Sequence, residues 1–226
     1  MAVLERPPTR RELLDEIKPR LRGWLHLGTL PFSLAAGIVL VVLSPGGAPR
    51  VGAVAFMGAS TLLFAVSAVY HTRTWGDRTR DALQRFDHAN IFLLIAGTYT
   101  PFALLLLDER DAEVLLSIVW TCALLGVLLG VLWVGAPRWL RAPVFIGLGW
   151  AALFWLPAFA ANASVAVLTL MLVGGGLYSL GGLVYGLQRP NPLPRWFGYH
   201  EVFHSLTVAA FVVHYVGISI ASYSLR

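Results

Sequence analysis

Seven stretches of about twenty residues, each nearly free of charge, run through this chain of 226 residues. They cover residues 24–44, 51–72, 89–107, 114–134, 140–160, 164–187 and 199–223. A helix needs about 20 mostly apolar residues to cross a bilayer core. No water is available there, so each backbone N–H and C=O must be satisfied inside the protein, and such segments have to be helical. Composition agrees, with 57% hydrophobic and only 13% charged residues. A soluble domain is usually about 25% charged. The same balance excludes a disordered chain. The single cysteine, Cys122, excludes a disulfide framework or a cysteine-rich zinc site. The expected protein is an all-α integral membrane protein, a seven-transmembrane-helix bundle that is multi-pass in the cell inner (plasma) membrane. Connectors at 45–50, 73–88, 108–113, 135–139, 161–163 and 188–198 are too short to hold a second domain. Residues 24–226 therefore form one membrane domain, preceded by a basic segment over 1–23.

Six further spans follow the first, so 24–44 reads as a retained helix, not a cleaved leader. Residues 13–21 suit a short amphipathic helix whose arginines meet anionic headgroups. Lys and Arg set the orientation. Six lie in the N-terminal segment, and the connectors and C-terminus carry the others, from Arg50 to Arg226. Counted on alternate sides, the 17 basic residues divide fourteen to three. The N-terminus is thereby expected in the cytoplasm and the C-terminus outside. The expected partners are membrane lipids. Basic patches interleaved with aromatics are absent, so nucleic acid is excluded.

Ionisable residues within spans are functional candidates by default. His71 ends span two, Asp87 precedes span three, and His200 and His204 open span seven. All four fall at the cytoplasmic depth. His200 and His204 stand at i and i+4 and share a helix face. Two such imidazoles can chelate zinc, and His71 would be a third ligand. Three protein ligands with an open position is the catalytic zinc pattern. Asp87 is then either a fourth ligand or the base on a bound water. Ser67, one turn before His71, is placed to hydrogen-bond the water, a ligand or a substrate oxygen. The segment from His200 to His204 also matches the H-E-x-x-H helix of zinc proteases, with Glu201 as base. The other reading of Glu201 is an interfacial carboxylate near Arg189 or Arg195. His214 lies about 15 Å along the axis from His204, too far to share a metal. It reads as a hydrogen-bonded core histidine. His26 is expected to snorkel toward headgroups. His88 is expected to turn away from Asp87, toward a neighbouring span.

These residues resemble motifs of the hemolysin III family. That family is the bacterial branch of the progestin and adipoQ receptor group, within a wider superfamily of membrane hydrolases that includes alkaline ceramidases. The matching pieces are Ser67 to His71, Asp87 to Ile91 running into Ala96 to Pro101, and His200 to His204 with His214 and Tyr215. The resemblance implies seven helices with the N-terminus inside, and zinc held at His71, His200 and His204. It implies that Asp87 holds the metal-bound water and that Ser67 is the motif serine beside it.

Three functions follow in order of expectation. The first is a metal-dependent hydrolase of a membrane lipid amide or ester. The second is a receptor-like membrane sensor with structural zinc. The third is a pore-forming, hemolysin-like protein, which the clustering of polar residues at one end disfavours. The arginine asymmetry is testable directly. A reporter fused after Arg226 is expected outside the cytoplasm, and one inserted near Arg78 inside it. A cytoplasmic C-terminus would show that a span has been miscounted.

Overall fold

The computed structural model describes residues 19–133 and 137–225. In chain order its helices are α1 (Trp24–Leu43), α2 (Ala48–Thr72), α3 (Asp77–Leu106), α4 (Glu109–Leu132), α5 (Arg138–Gly149), α6 (Leu156–Asn162), α7 (Val165–Leu187) and α8 (Tyr199–Tyr223). A short 3-10 segment, Ala151–Trp155, joins α5 to α6, and Leu140–Asn162 makes one crossing. Seven units are long and apolar enough to span a membrane. Phe32, Leu132, Phe154 and Val165 are each more than 70% exposed, an apolar belt that suits lipid rather than water. The protein is a multi-pass membrane protein. Of the interfacial helix expected over 13–21, residues 13–18 lie outside the described residues, and 20–23 form a turn.

Local chemistry sets the helix starts. Asp108 caps α4 by accepting the Asp111 N–H at 2.8 Å, and Glu109 and Asp111 place negative charge at the dipole's positive end. Ser164 caps α7 through the Val167 N–H at 3.3 Å. Asn162 closes α6 and donates to Leu106 O at 3.0 Å, so the sparse polar boundary after span five is a real helix break.

Two spans differ from their sequence reading. The helix of span three begins at Asp77 instead of Ala89, which leaves only residues 73–76 as connector. Hydropathy marks where a helix is apolar, not where it starts, and the added turns are polar. Asp87 and His88 are therefore held on a helix. Span five is not continuous. Tyr99 repairs the break: its hydroxyl donates to Gly149 O at 2.7 Å and accepts the Ala152 N–H at 2.9 Å. Irregular backbone at membrane depth persists only where protein groups satisfy it.

The bundle is organised around α3, 72% of whose apolar window is buried. It packs against α2, α4, α5, α6 and α8, while α8 closes on α7 and α1 and reaches α2. Small residues permit the closest approach, as expected where packing drives association in lipid. A Cβ added at Gly52 of α2 would lie 2.6 Å from Pro101 Cα of α3. One added at Gly58 would meet nothing within 4 Å. Gly52→Val should therefore destabilise the protein by roughly 1–3 kcal/mol through overpacking. Gly58→Val should be close to neutral. Melting temperatures of the two variants in the same detergent decide this.

Candidate metal centre

His71 sits on the last turn of α2, and His200 and His204 lie on the first two turns of α8. Packing of α8 beside α2 brings all three rings together in the interior. Each offers a ligand atom within 4.8 Å of the others, and all three are buried. Nε2 of His200 stands 3.2 Å from Nε2 of His71. Two nitrogens bound to one tetrahedral zinc lie about 3.3 Å apart, from the bond lengths of 2.0–2.1 Å. The observed spacing therefore suits a shared cation. The Nδ1 of His204 is buried with no hydrogen-bond partner. A set of neutral nitrogen donors with an unsatisfied member fits a borderline-soft divalent metal.

Asp87 stands beside this trio. Its Oδ2 is 3.5 Å from Nε2 of His71, and its carboxylate lines a cavity that also reaches Ser67 and His204. Ser67 is buried, and its Oγ has no partner. The cavity runs between α1, α2, α3, α5, α7 and α8. Space for the centres of water-sized molecules amounts to about 110 Å³. Its walls are mainly apolar, including Leu63, Ile91, Ile95 and Phe145.

Two neighbours, His26 and Glu201, stand differently from their sequence reading, and a third, His88, agrees with it. His26 does not reach for headgroups. It is 2% exposed and stacks on His204 with ring centroids 3.8 Å apart and planes 12° off parallel. Neither ring nitrogen has a hydrogen-bond partner, and the ring lines the cavity. Nothing in helical periodicity marks this position. The contact exists because α1 packs on α8. Glu201 is fully buried and does not belong to the histidine cluster. It pairs with Arg22 and accepts the Gly198 N–H at 2.8 Å, which closes the first turn of α8. Arg22, rather than Arg189 or Arg195, is its partner because residues 20–21 bond back to the 195–196 backbone. His88 does turn aside. Arg141 donates to its Nδ1 at 3.0 Å, and its Nε2 meets the Tyr185 hydroxyl at 3.2 Å.

The turn over 20–23 lies directly against the cluster. Gly23 has φ +84°, and a Cβ there would fall 2.6 Å from the Cβ of His71. Only glycine suits both the left-handed backbone and the close approach.

The family model described as haemolysin-III related matches residues 15–215. The chain belongs to that family. It is 31% identical over 178 residues to a hemolysin-3 homolog of Bacillus subtilis, covering 78% of this chain and 81% of that protein. It is 32% identical over 158 residues to hemolysin-3 of Bacillus cereus, covering 68% and 71% of the two chains. The adiponectin receptor protein of Drosophila melanogaster is 31% identical over 187 residues, with 73% of this chain matched to 40% of the receptor. The matched region includes His71, Asp87, His200 and His204, so the centre falls within the family's shared portion.

The placement of Glu201 has a measurable consequence. Glu201→Gln should leave metal content unchanged, because the side chain faces Arg22 and the helix start. It should lower thermal stability by roughly 1–3 kcal/mol, since it leaves a partly buried guanidinium without its counter-charge. Loss of metal in a variant that remains folded would return Glu201 to the centre.

Proposed function

We propose that this protein is a zinc-dependent hydrolase of a membrane lipid amide or ester. The observation that carries this reading is the meeting of the histidine cluster, Asp87 and Ser67 with one apolar cavity. His71, His200 and His204 would hold the ion. When bound, zinc would supply Lewis-acid chemistry, polarising the scissile carbonyl and making water easier to deprotonate. Asp87, on the cavity wall beside His71, accepts the proton of the attacking water at its carboxylate oxygen. It then returns that proton to the leaving amine or alcohol. The Ser67 hydroxyl, without a protein partner, donates to the oxyanion that develops on the carbonyl. His26 holds the plane of the His204 ring by stacking on it. Leu63, Ile91, Ile95 and Phe145 line the space for an acyl chain and keep water from it. The arginine asymmetry supports a cytoplasmic N-terminus, which would put the histidine end at the inner face of the membrane.

A second reading, a sensor with structural zinc, draws support from the receptor name of the Drosophila relative. It also draws on the position of the cluster, which links α2 to α8. A pore has less support, because the cavity walls are mainly apolar.

Two variants separate the first two readings. Asp87→Asn should retain most of the zinc, because three histidines remain. It should lower hydrolysis of a suitable lipid amide by about 10²–10⁴-fold, the usual cost of losing a general base. His204→Ala should lose both metal and turnover. Zinc content and turnover are measured on the same preparations. Full zinc loss in Asp87→Asn would make Asp87 a direct ligand and favour a structural site. Absence of turnover by wild type across a broad panel of lipid amides and esters would put the sensor first.

A further inference from the structure

The cavity has a second polar end. From the histidine end it extends along three helices in parallel: from His204 to His214 on α8, from Asp87 to Thr98 on α3, and from Tyr185 to Gly175 on α7. Each path is ten or eleven residues, or roughly 15 Å of helix. At the far end most polar groups are already satisfied. Thr98 donates to Leu94 O at 2.7 Å. Ser179 donates to Gly175 O at 2.8 Å and accepts the Trp150 indole N–H at 2.7 Å. Two groups are not. The Tyr178 hydroxyl and Nδ1 of His214 are buried without partners. Both residues line the cavity, and their ring centroids lie 5.6 Å apart.

The His214 ring is held firmly. It is 5% exposed, and its Nε2 lies 3.1 Å from the carbonyl oxygen of Met171. The carbonyl can only accept, so Nε2 carries the proton and Nδ1 is left as an acceptor. Gly174 makes room for the imidazole, and a side chain there would strike it. The Phe102 ring meets the imidazole edge to face, with centroids 5.6 Å apart. The pair therefore presents one fixed acceptor and one hydroxyl able to donate. A guest hydroxyl satisfies both, because it donates to Nδ1 and accepts from Tyr178. A guest carbonyl satisfies only the tyrosine, and a methylene satisfies neither.

We propose that Tyr178 and His214 form a subsite for a hydroxyl group on the hydrocarbon chain of the bound lipid, roughly 15 Å from the histidine cluster. The ligand class is a mid-chain hydroxylated acyl group. The inference rests on the reading that the cavity holds the acyl chain of the substrate, with its polar head at the metal end.

The test is equilibrium binding of fatty acids to the full-length protein in detergent, followed by thermal-shift titration. The probes are stearic acid, positional isomers of hydroxystearic acid and the corresponding ketostearic acids. One mid-chain hydroxy isomer should bind wild type about tenfold tighter than stearic acid, the scale of one or two buried neutral hydrogen bonds. The matching keto acid should fall between them. In Tyr178→Phe, which removes only the hydroxyl, the preference should shrink to about twofold while stearic acid binds as before. Equal binding of stearic and all hydroxystearic acids to wild type overturns the subsite and leaves the acyl cavity standing. Keto acid binding as tight as the hydroxy acid also overturns it. Absence of binding by every fatty acid overturns the acyl-cavity reading and the subsite with it. The wild-type comparison is decisive even if the variant fails to fold.

Discussion

Three imidazoles lie within a few ångströms of one another at one end of the bundle, in an interior with little to satisfy them. Nε2 of His71 faces Nε2 of His200 at 3.2 Å, and Nδ1 of His204 faces no partner at all. Neutral imidazoles offer each other at most one good hydrogen bond per pair. Burying the remainder unsatisfied costs about 1–3 kcal/mol per group. A shared cation would offset that cost and convert three lone pairs into one attraction. Much of the nearby structure serves to bring these rings together. The 20–23 turn lies against His71, Glu201 closes the first turn of α8, and the polar extension of α3 carries Asp87 alongside.

The same requirement, that polar groups be satisfied away from water, explains the irregular parts of the fold. Span five breaks where Tyr99 can accept one freed N–H and donate to one freed carbonyl. Asn162 reaches the last turn of α3. Thr98 and Thr100 return their hydroxyls to their own helix at 2.7 Å. Against this thrift, the unpaired groups stand out. They include both ring nitrogens of His26 and the Ser67 hydroxyl near the cluster, and the Tyr178 hydroxyl and Nδ1 of His214 far from it, and all four residues line one cavity.

Membership in the haemolysin-III related family places the chain among proteins with names as different as hemolysin and adiponectin receptor. A shared scaffold does not dictate one function. The family model spans the region holding the centre. What the cavity accepts depends on the side chains lining it.

Apolar run length and the spacing of basic residues are local quantities, and they were enough to give seven spans. The i, i+4 spacing of His200 and His204, and the positions of His71 and Asp87 at span ends, point to a common depth without any knowledge of packing. Depth along a helix follows from counting residues, so that much was legible. Which faces meet across the bundle was not. His26 beside His204, Arg22 against Glu201, and Tyr178 near His214 are contacts between helices far apart in the chain, and no periodicity encodes them. The break in span five likewise depended on a tyrosine fifty residues away, through the Tyr99 to Gly149 bond. The helix start at Asp77 is likewise invisible to hydropathy, which reports the solvent a helix sits in and not its hydrogen bonds. The sequence placed the candidate ligands at one level; the rotation and closest approach of α1, α2, α3 and α8 decided which of them touch.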